Sequence, residues 1–405
     1  MRYVTLVSLF VFSCMISGCD HLLTQAPDDG QVLDGPIDGL TSEQRRIFTR
    51  GDEFFGQAFT FETGLGPLFN QTSCQDCHVG DGRGHPSVNL TRFGMNIPGG
   101  GFDMLKEYGG PQLQDRSMPG YPPEVIPGIA DAISVRGGPI VTGLGLIEAV
   151  PDEVIMSHVD EGDADGDGVS GKPNLIEAPD FLGFPAGPYA GKYLGRFGRK
   201  AGAINLLQQT VMAYREDMGI TSDYMPQENF NPIVGGSGGD PVPNPEIPTS
   251  SIEDVVFYLQ TLRPPPRRNE ADSEVLHGEE LFSEIQCGSC HIPSLQTAEH
   301  PISALSNKDV PLYSDMLLHD MGPDLADSFV EGEATGVEWR TTPLWGLGIV
   351  ENVLGGTPFY LHDGRTSSLT EVISLHKGEA DSSRTRFNAL TPDEQSALIA
   401  FLKSL

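Results

Sequence analysis

Basic side chains are scarce: 25 Lys and Arg stand against 56 Asp and Glu in 405 residues, a formal net charge of −31. So acidic a surface repels phosphate backbones and anionic headgroups, which excludes nucleic acid as a partner and adhesion to anionic lipid as a means of attachment. It suits a small basic protein partner, although an acidic exterior needs no partner at all. Tryptophan occurs only at Trp339 and Trp345, and cysteine only six times. The apolar run at the N-terminus, Val4 to Ile16, is too short to span a bilayer comfortably. Glycine and proline are plentiful instead, 49 and 32 residues, which predicts long ordered loops rather than a dense helical bundle.

The N-terminal run has the parts of an export signal. Met1-Arg2 is positive, the apolar core follows, and Ile16-Ser17-Gly18-Cys19 places small residues before a cysteine. Residues 1–18 resemble a bacterial lipoprotein signal peptide, in which Cys19 carries lipid and begins the mature chain; an ordinary secretory signal is the alternative, and both imply export. Asp20 beside the acylated residue resembles an inner-membrane retention signal. The expectation is a periplasmic protein anchored through Cys19, in the inner rather than the outer membrane. Residues 19–40 are polar and poor in large apolar side chains, as a tether is.

Cysteine accounting then becomes informative. Cys14 lies in the leader and Cys19 takes lipid, leaving Cys74, Cys77, Cys287 and Cys290. All four fall in two copies of one pattern, Cys74-Gln75-Asp76-Cys77-His78 and Cys287-Gly288-Ser289-Cys290-His291. Two thiols one helical turn apart can add across the two vinyl groups of a haem, and the following His is placed to ligate its iron. An exported chain would oxidise spare thiols into disulfides, and none is left over. The competing reading, a redox dithiol or a zinc site, leaves this complete allocation unexplained. The cofactors expected are two covalently bound haem c groups, their irons ligated by His78 and His291.

The two halves repeat one order. Thr41-Ser42-Glu43-Gln44 opens a helix with a capping box and leads toward Cys74; Ser273 to Ile285 predicts a helix into Cys287. Ser250-Ser251-Ile252-Glu253 caps a helix through Leu262, and Thr391-Pro392-Asp393-Glu394 opens the last one, with proline at its first turn. Pro264-Pro265-Pro266 ends the first half. The fold class expected is mainly α with long ordered loops: two cytochrome c-like haem domains, 41–263, enlarged by insertions, and 270–405, joined by a Pro-rich linker at 264–269.

Between these elements lie the other candidates. Glu148 is a lone carboxylate in the apolar run Val141 to Val150; it must be hydrogen-bonded, shifted in pKa or at an exposed end, and the first two would make it a proton shuttle. Asp163, Asp165 and Asp167 alternate with glycines as a Ca²⁺ loop does, yet Asn174 stands where an EF-hand needs a bidentate Glu, so an Asx-rich turn is the alternative. Arg83, and the cluster Arg196, Arg199 and Lys200, could pair with haem propionates. As the second axial ligand of the later haem, His376 competes with His300, His319, His362 and nearby methionines. Met212 and Met218, on a helix expected over Leu206 to Met218, read as packing residues.

The series Gly143-Leu144-Gly145-Leu146-Ile147-Glu148-Ala149, the Asp163 to Gly171 loop, Leu194-Gly195-Arg196-Phe197-Gly198, Glu338 to Gly348, Phe359 to Arg365 and Leu375 to Ala380 resembles the dihaem oxidoreductase family, related to bacterial dihaem cytochrome c peroxidases. The resemblance covers nearly the whole mature chain. It implies a peroxidase-like enzyme in which the first haem binds peroxide and the second receives electrons from a small cytochrome or cupredoxin. It favours His376 as the distal ligand of the second haem, where relatives commonly carry Met, and makes Glu148 the catalytic carboxylate. Those relatives place a tryptophan between the haems from the first domain, whereas both tryptophans here lie in the second half. The rival readings are a dihaem electron-transfer lipoprotein with no substrate of its own, and an oxidase of a thiol or organic substrate.

Overall fold

The computed structural model describes residues 33–231, 233 and 239–405. The leader, Cys19 and most of the tether lie outside these residues. About 34% of the chain is helical, with short strands between the helices, a mainly α fold. No helix among the described residues is long and apolar enough to cross a membrane.

The helices that build the sites are, in chain order, α1 (Ser42–Phe55), α2 (Leu144–Glu148), α3 (Leu206–Asp217), α4 (Thr249–Thr261), α5 (Ser273–Glu284), α6 (Leu369–Leu375) and α7 (Pro392–Ser404). The expected caps form at both ends of the chain. Thr41 and Gln44 make a reciprocal capping box on α1, and Thr391 and Glu394 make one on α7 with Pro392 in its first turn. The start of α4 differs: Thr249 is already helical, and its N–H and hydroxyl donate to Asp223 Oδ2 at 3.1 and 2.7 Å.

The helices pair as α1 on α4 and α5 on α7. Each crossing is closed by a glycine. A Cβ on Gly51 of α1 would stand 2.1 Å from the Asp254 carbonyl oxygen, and one on Gly278 of α5 would stand 2.0 Å from that of Ala397. Without side chains at these points the backbones touch, and aromatic rings fill the space beside them: Phe48 and Phe55 against Tyr258 in one pair, Phe282 against Phe401 in the other.

Between α1 and α3 the chain forms a small antiparallel sheet with β1 (Leu90–Asn96) in the centre, β2 (Phe102–Asp103) on one edge and β3 (Ala132–Arg136) on the other, in register Leu90 to Arg136 and Asn96 to Phe102. On β3, Ala132, Ser134 and Arg136 are buried while Ile133 and Val135 are exposed, the period of two that aims Arg136 inward. In the second half β4 (Leu318–Asp320) pairs with β5 (Glu338–Arg340), Leu318 opposite Arg340.

The hydrophobic core does not divide at the proline stretch. The smaller cluster joins α5 and α7 through Val275, Phe282, Leu398 and Phe401. The larger one, around Phe55, Tyr214 and Tyr258, also takes in Leu295, Ile302, Leu305, Val310, Leu312, Leu317 and Trp345 from the second half. The stretch at 264–269 is itself pinned: the Arg268 N–H donates to the Ser404 carbonyl at 2.7 Å, and Pro264 packs beside Gly143.

Candidate functional site

The first motif is shaped by its own sequence. Ser73 caps the helical turn Cys74–Cys77, its hydroxyl accepting from the Asp76 N–H, while Asp76 Oδ2 accepts from the N–H of Thr72 and of Ser73, both at 3.0 Å. The turn places both sulfurs one helical turn apart, and the His78 N–H closes it on the Cys74 carbonyl at 3.0 Å. His78 Nδ1 lies 2.8 Å from the Pro139 carbonyl oxygen. A carbonyl can only accept, so Nδ1 carries the proton and Nε2 keeps a free lone pair, the arrangement an iron-ligating imidazole needs.

The second motif repeats this geometry. Gln286, in a left-handed conformation, turns the chain out of α5 into the Cys287–Ser289 turn, and the His291 N–H donates to the Cys287 carbonyl at 3.0 Å. His291 Nδ1 meets the Tyr313 carbonyl oxygen at 2.8 Å. His376, at the end of α6, has its Nδ1 on the Val372 carbonyl oxygen at 2.7 Å and lies close enough to His291 for the two rings to interact electrostatically. Burial pushes His78 and His291 down to about 4 and lowers His376 as well, so all three rings are neutral at neutral pH with Nε2 available.

The other histidines have other partners. His319 is engaged at both nitrogens, Nε2 with Asp315 Oδ2 and Nδ1 with Glu379 Oε2, each at 2.8 Å. Burial alone would lower it, but these carboxylates and Cys290 push it up to about 12, an imidazolium with no lone pair to give a metal. His362 stacks on Trp339 with ring centres 3.8 Å apart. His300 Nδ1 accepts from the Ile302 N–H, and His85 pairs with Ser87 at the surface.

Burial also acts on the cysteines. Cys77 and Cys287 are pushed up to about 12, and Cys74 and Cys290 are raised in the same direction.

Around the first motif opens a cavity of about 1150 Å³, above the roughly 300–1,000 Å³ of common ligand pockets. Cys74, Cys77, His78, Arg83, Arg136, Arg199 and Arg340 line it. Burial lowers Arg83 and Arg340 to about 10 and Arg199 further, with Arg83, Arg340 and Arg136 adding their repulsion to Arg199. Arg136 pairs with Glu331, but Arg83 Nη2 is buried without a partner, and Arg199 finds only the Gly137 carbonyl, at 2.8 and 3.2 Å. Buried guanidinium groups crowded against one another call for anions. The propionates of a haem are such anions, and the residues present fit the group. Arg196 also lines the cavity, but its guanidinium is taken by the Ile147 carbonyl, at 3.0 Å, and the Asp152 carboxylate, and Lys200 pairs with Asp327 at 3.0 Å, so of the expected basic cluster Arg199 is the one without an ion pair.

Glu148 is hydrogen-bonded, one of the arrangements expected of it, but it stands back from the cavity. Its Oε1 accepts the Leu206 N–H at the start of α3, 2.7 Å away, and its Oε2 accepts from Gln260 Nε2 of α4 at 2.6 Å. A carboxylate at a helix N-terminus is stabilised by the unpaired N–H groups and the helix dipole. Glu148 therefore ties α2, α3 and α4 together; its neighbour Ile147 reaches the cavity wall and Glu148 does not. Among the carboxylates that line the cavity are Glu216 and Asp217, in the last turn of α3. Burial pushes Asp217 up to about 7 although Gln112 donates to it at 2.5 Å; burial also raises Glu216, against the pull of Arg92. The sequence carried one signal of them: paired acids at a helix C-terminus, where the dipole disfavours negative charge.

The aspartate loop also differs in membership. Asp160, Asp163 and Asp165 each bring an oxygen within 4.8 Å of the others, while Asp167 Oδ1 accepts the Val169 N–H in a tight turn. Ser170, just beyond, donates its N–H and hydroxyl to Glu379 at 2.9 and 3.0 Å, joining the loop to the second haem motif through His319.

Residues 130–405 match the family described as "Di-haem oxidoreductase, putative peroxidase". The chain belongs to this family. As a dihaem oxidoreductase it takes two haem groups. The match is shorter than the near-complete coverage expected, for it begins after the first Cys-x-x-Cys-His. No curated protein matches this dihaem oxidoreductase. Similar solved structures include the hydrazine synthase of Kuenenia stuttgartiensis pressurised with xenon, at 14% identity, covering 94% of this chain and 92% of that one with a TM-score of 0.40. A MauG-like protein associated with microbial copper homeostasis is 15% identical, with 95% of each chain covered and a TM-score of 0.38.

Proposed function

We propose that the protein is a c-type dihaem peroxidase, reducing peroxide at the haem of Cys74, Cys77 and His78 and taking electrons in through the haem of Cys287, Cys290 and His291. The observation that carries this is an asymmetry of imidazoles. His291 has a second neutral ring, His376, beside it with Nε2 free, whereas the cavity at His78 is lined by methionines, Met104, Met212, Met218 and Met225, but by no second imidazole. A site capped on both faces relays electrons, and a site with one face open binds a substrate. Bound beside His78, haem would supply one-electron redox chemistry.

The chain's residues supply the rest. Reduction of peroxide to two waters consumes two electrons and two protons. Asp217, pushed up to about 7, can hold a proton at neutral pH and pass it into the cavity. Arg83 and Arg199 would neutralise propionates, and Pro139 and Tyr313 hold the imidazoles of His78 and His291 in one orientation through their carbonyls. Thioether attachment requires maturation outside the cytoplasm, in keeping with a leader at 1–18, lipid on Cys19 and a periplasmic location, inner membrane before outer. The acidic exterior suits a small basic cytochrome or cupredoxin as donor.

Absorption and electron paramagnetic resonance spectra of the haem-loaded protein test this reading. One low-spin haem together with one that binds cyanide or peroxide in some redox state is expected. Two low-spin haems that bind neither in any redox state would make the protein an electron carrier instead.

A further inference from the structure

A second group of carboxylates lies away from both motifs, in the long connection between α3 and α4. Glu228, Asp240 and Glu246 each bring one oxygen within 4.8 Å of the others. Their surroundings supply few donors. Asp240 is only 9% exposed; its Oδ1 accepts the Val242 N–H at 2.6 Å, and its Oδ2 is buried with no hydrogen bond. Glu228 Oε2 is likewise buried without a partner. Glu246 Oε2 is held by the Thr221 N–H and hydroxyl, which leaves Oε1 toward Asn244. With its nitrogen turned inward, the Asn244 amide donates to Glu246 Oε1 at 2.6 Å and Glu228 Oε1 at 3.0 Å; turned the other way, its oxygen joins theirs.

Among the described residues no cation pairs directly with these carboxylates. Arg215 is near enough to feel Glu228 and Glu246, but its Nη2 donates to the Glu228 backbone carbonyl, at 2.7 Å, and not to a carboxylate. Burial and the repulsion of Glu246 and Asp240 push Glu228 up to about 7, and burial raises Asp240 and Glu246 as well. Glu228 also takes the Asp240 N–H, yet Asp240 Oδ2 and Glu228 Oε2 are left with neither a donor nor an ion pair, and buried oxygens of that kind are retained where a cation compensates them.

We propose that Glu228, Asp240 and Glu246, with the side-chain oxygen of Asn244, form a Ca²⁺ site. The donor set is all oxygen, three carboxylates and an amide carbonyl, which selects a hard cation over zinc or copper. It sits in irregular loop rather than on a rigid frame, which suits the flexible coordination of Ca²⁺ better than the strict octahedron of Mg²⁺. The ion has a job there. Asn229 Nδ2 donates to the Arg215 carbonyl at 2.5 Å, so the loop that carries Glu228 also holds the last turn of α3, where Glu216 and Asp217 face the cavity. A bound cation fixes that turn from behind.

The exposed Asp160 loop must be silenced for the test. Haem-loaded, full-length protein carrying Asp163→Asn and Asp165→Asn is stripped with EGTA and titrated with CaCl2 in a calorimeter, and its melting temperature is followed with Ca²⁺ or Mg²⁺ added. One Ca²⁺ per chain and a rise in melting temperature with Ca²⁺ are expected, both lost on adding Asp240→Asn. Glu228→Gln serves in its place if Asp240→Asn does not load haem. Absence of Ca²⁺ binding in the silenced background overturns the site. Undiminished binding in Asp240→Asn or Glu228→Gln overturns the ligand assignment, and an equal response to Mg²⁺ overturns the choice of ion.

Discussion

Glu379 and His319 meet at 2.8 Å in the second half of the molecule, and Asp315 closes on the other ring nitrogen at the same distance. The ring is 2% exposed, so a charged imidazole is held between two carboxylates against Cys290 and out of water. Ser170 extends the chain of contacts to the aspartate loop.

This clamp sets a pH dependence of stability. His319 rises from an ordinary 6.5 to about 12 on folding, so its contribution is complete below about 6.5 and is lost as pH climbs toward 12. Glu379 is lowered on folding, so its contribution is present above the ordinary carboxylate value of 4.5 and fades as pH falls below it. Melting temperatures of wild type and His319→Gln, taken from pH 5 to 10, should converge as pH rises. At pH 6 the variant should be less stable by about 3–5 kcal/mol, the cost of leaving buried carboxylates unpaired. A constant gap across the range would count against a charged His319.

For His376→Ala, the low-spin signal of the second haem should give way to a high-spin one with haem content unchanged. Electron paramagnetic resonance on the oxidised protein reads this directly. An unaltered spectrum would remove His376 from the iron.

Glu148 and Asp217 should separate in their effects. Glu148→Gln loses a carboxylate at the N-terminus of α3 and should cost about 0.5–2 kcal/mol of stability with peroxide turnover per haem unchanged. Asp217→Asn should keep its haem and lose turnover by about 10²–10⁴-fold, the usual worth of a positioned proton donor. The opposite pattern in a peroxide assay would restore Glu148 to the chemistry.

Gly278→Ala puts a methyl where the Ala397 carbonyl oxygen stands 2.0 Å away. Forcing α5 from α7 should cost about 1–3 kcal/mol, read as a lower midpoint in denaturant. Because α5 leads into Cys287, the second haem should load less completely than the first.

What was legible in the sequence was what local chemistry dictates. Cys-x-x-Cys-His is fixed by the distance between two vinyl groups, and the helix starts at Thr41 and Thr391 by side chains that answer N–H groups three residues on. His376 beside His291 needed the family resemblance as well as the residues. For Glu148 the apolar run says only that a carboxylate must be satisfied; the N–H that satisfies it belongs to Leu206, 58 residues later. Asp217 stayed hidden for the same reason, since its burial comes from a cavity built by loops distant in sequence. Trp345 lies in the second half of the chain and yet packs into the first core, which position along the chain could not show.

That shared core changes what the proline stretch can mean. A chain cut at Pro265 would still have its two fragments held by the apolar segment from Leu295 to Leu317, seated among the side chains of the first. The second fragment keeps a smaller cluster of its own around Phe282 and Phe401 but shares the larger one with the first, so the two halves melt as coupled parts. The two Cys-x-x-Cys-His motifs are thus held in one body by a shared core and not by the proline stretch alone.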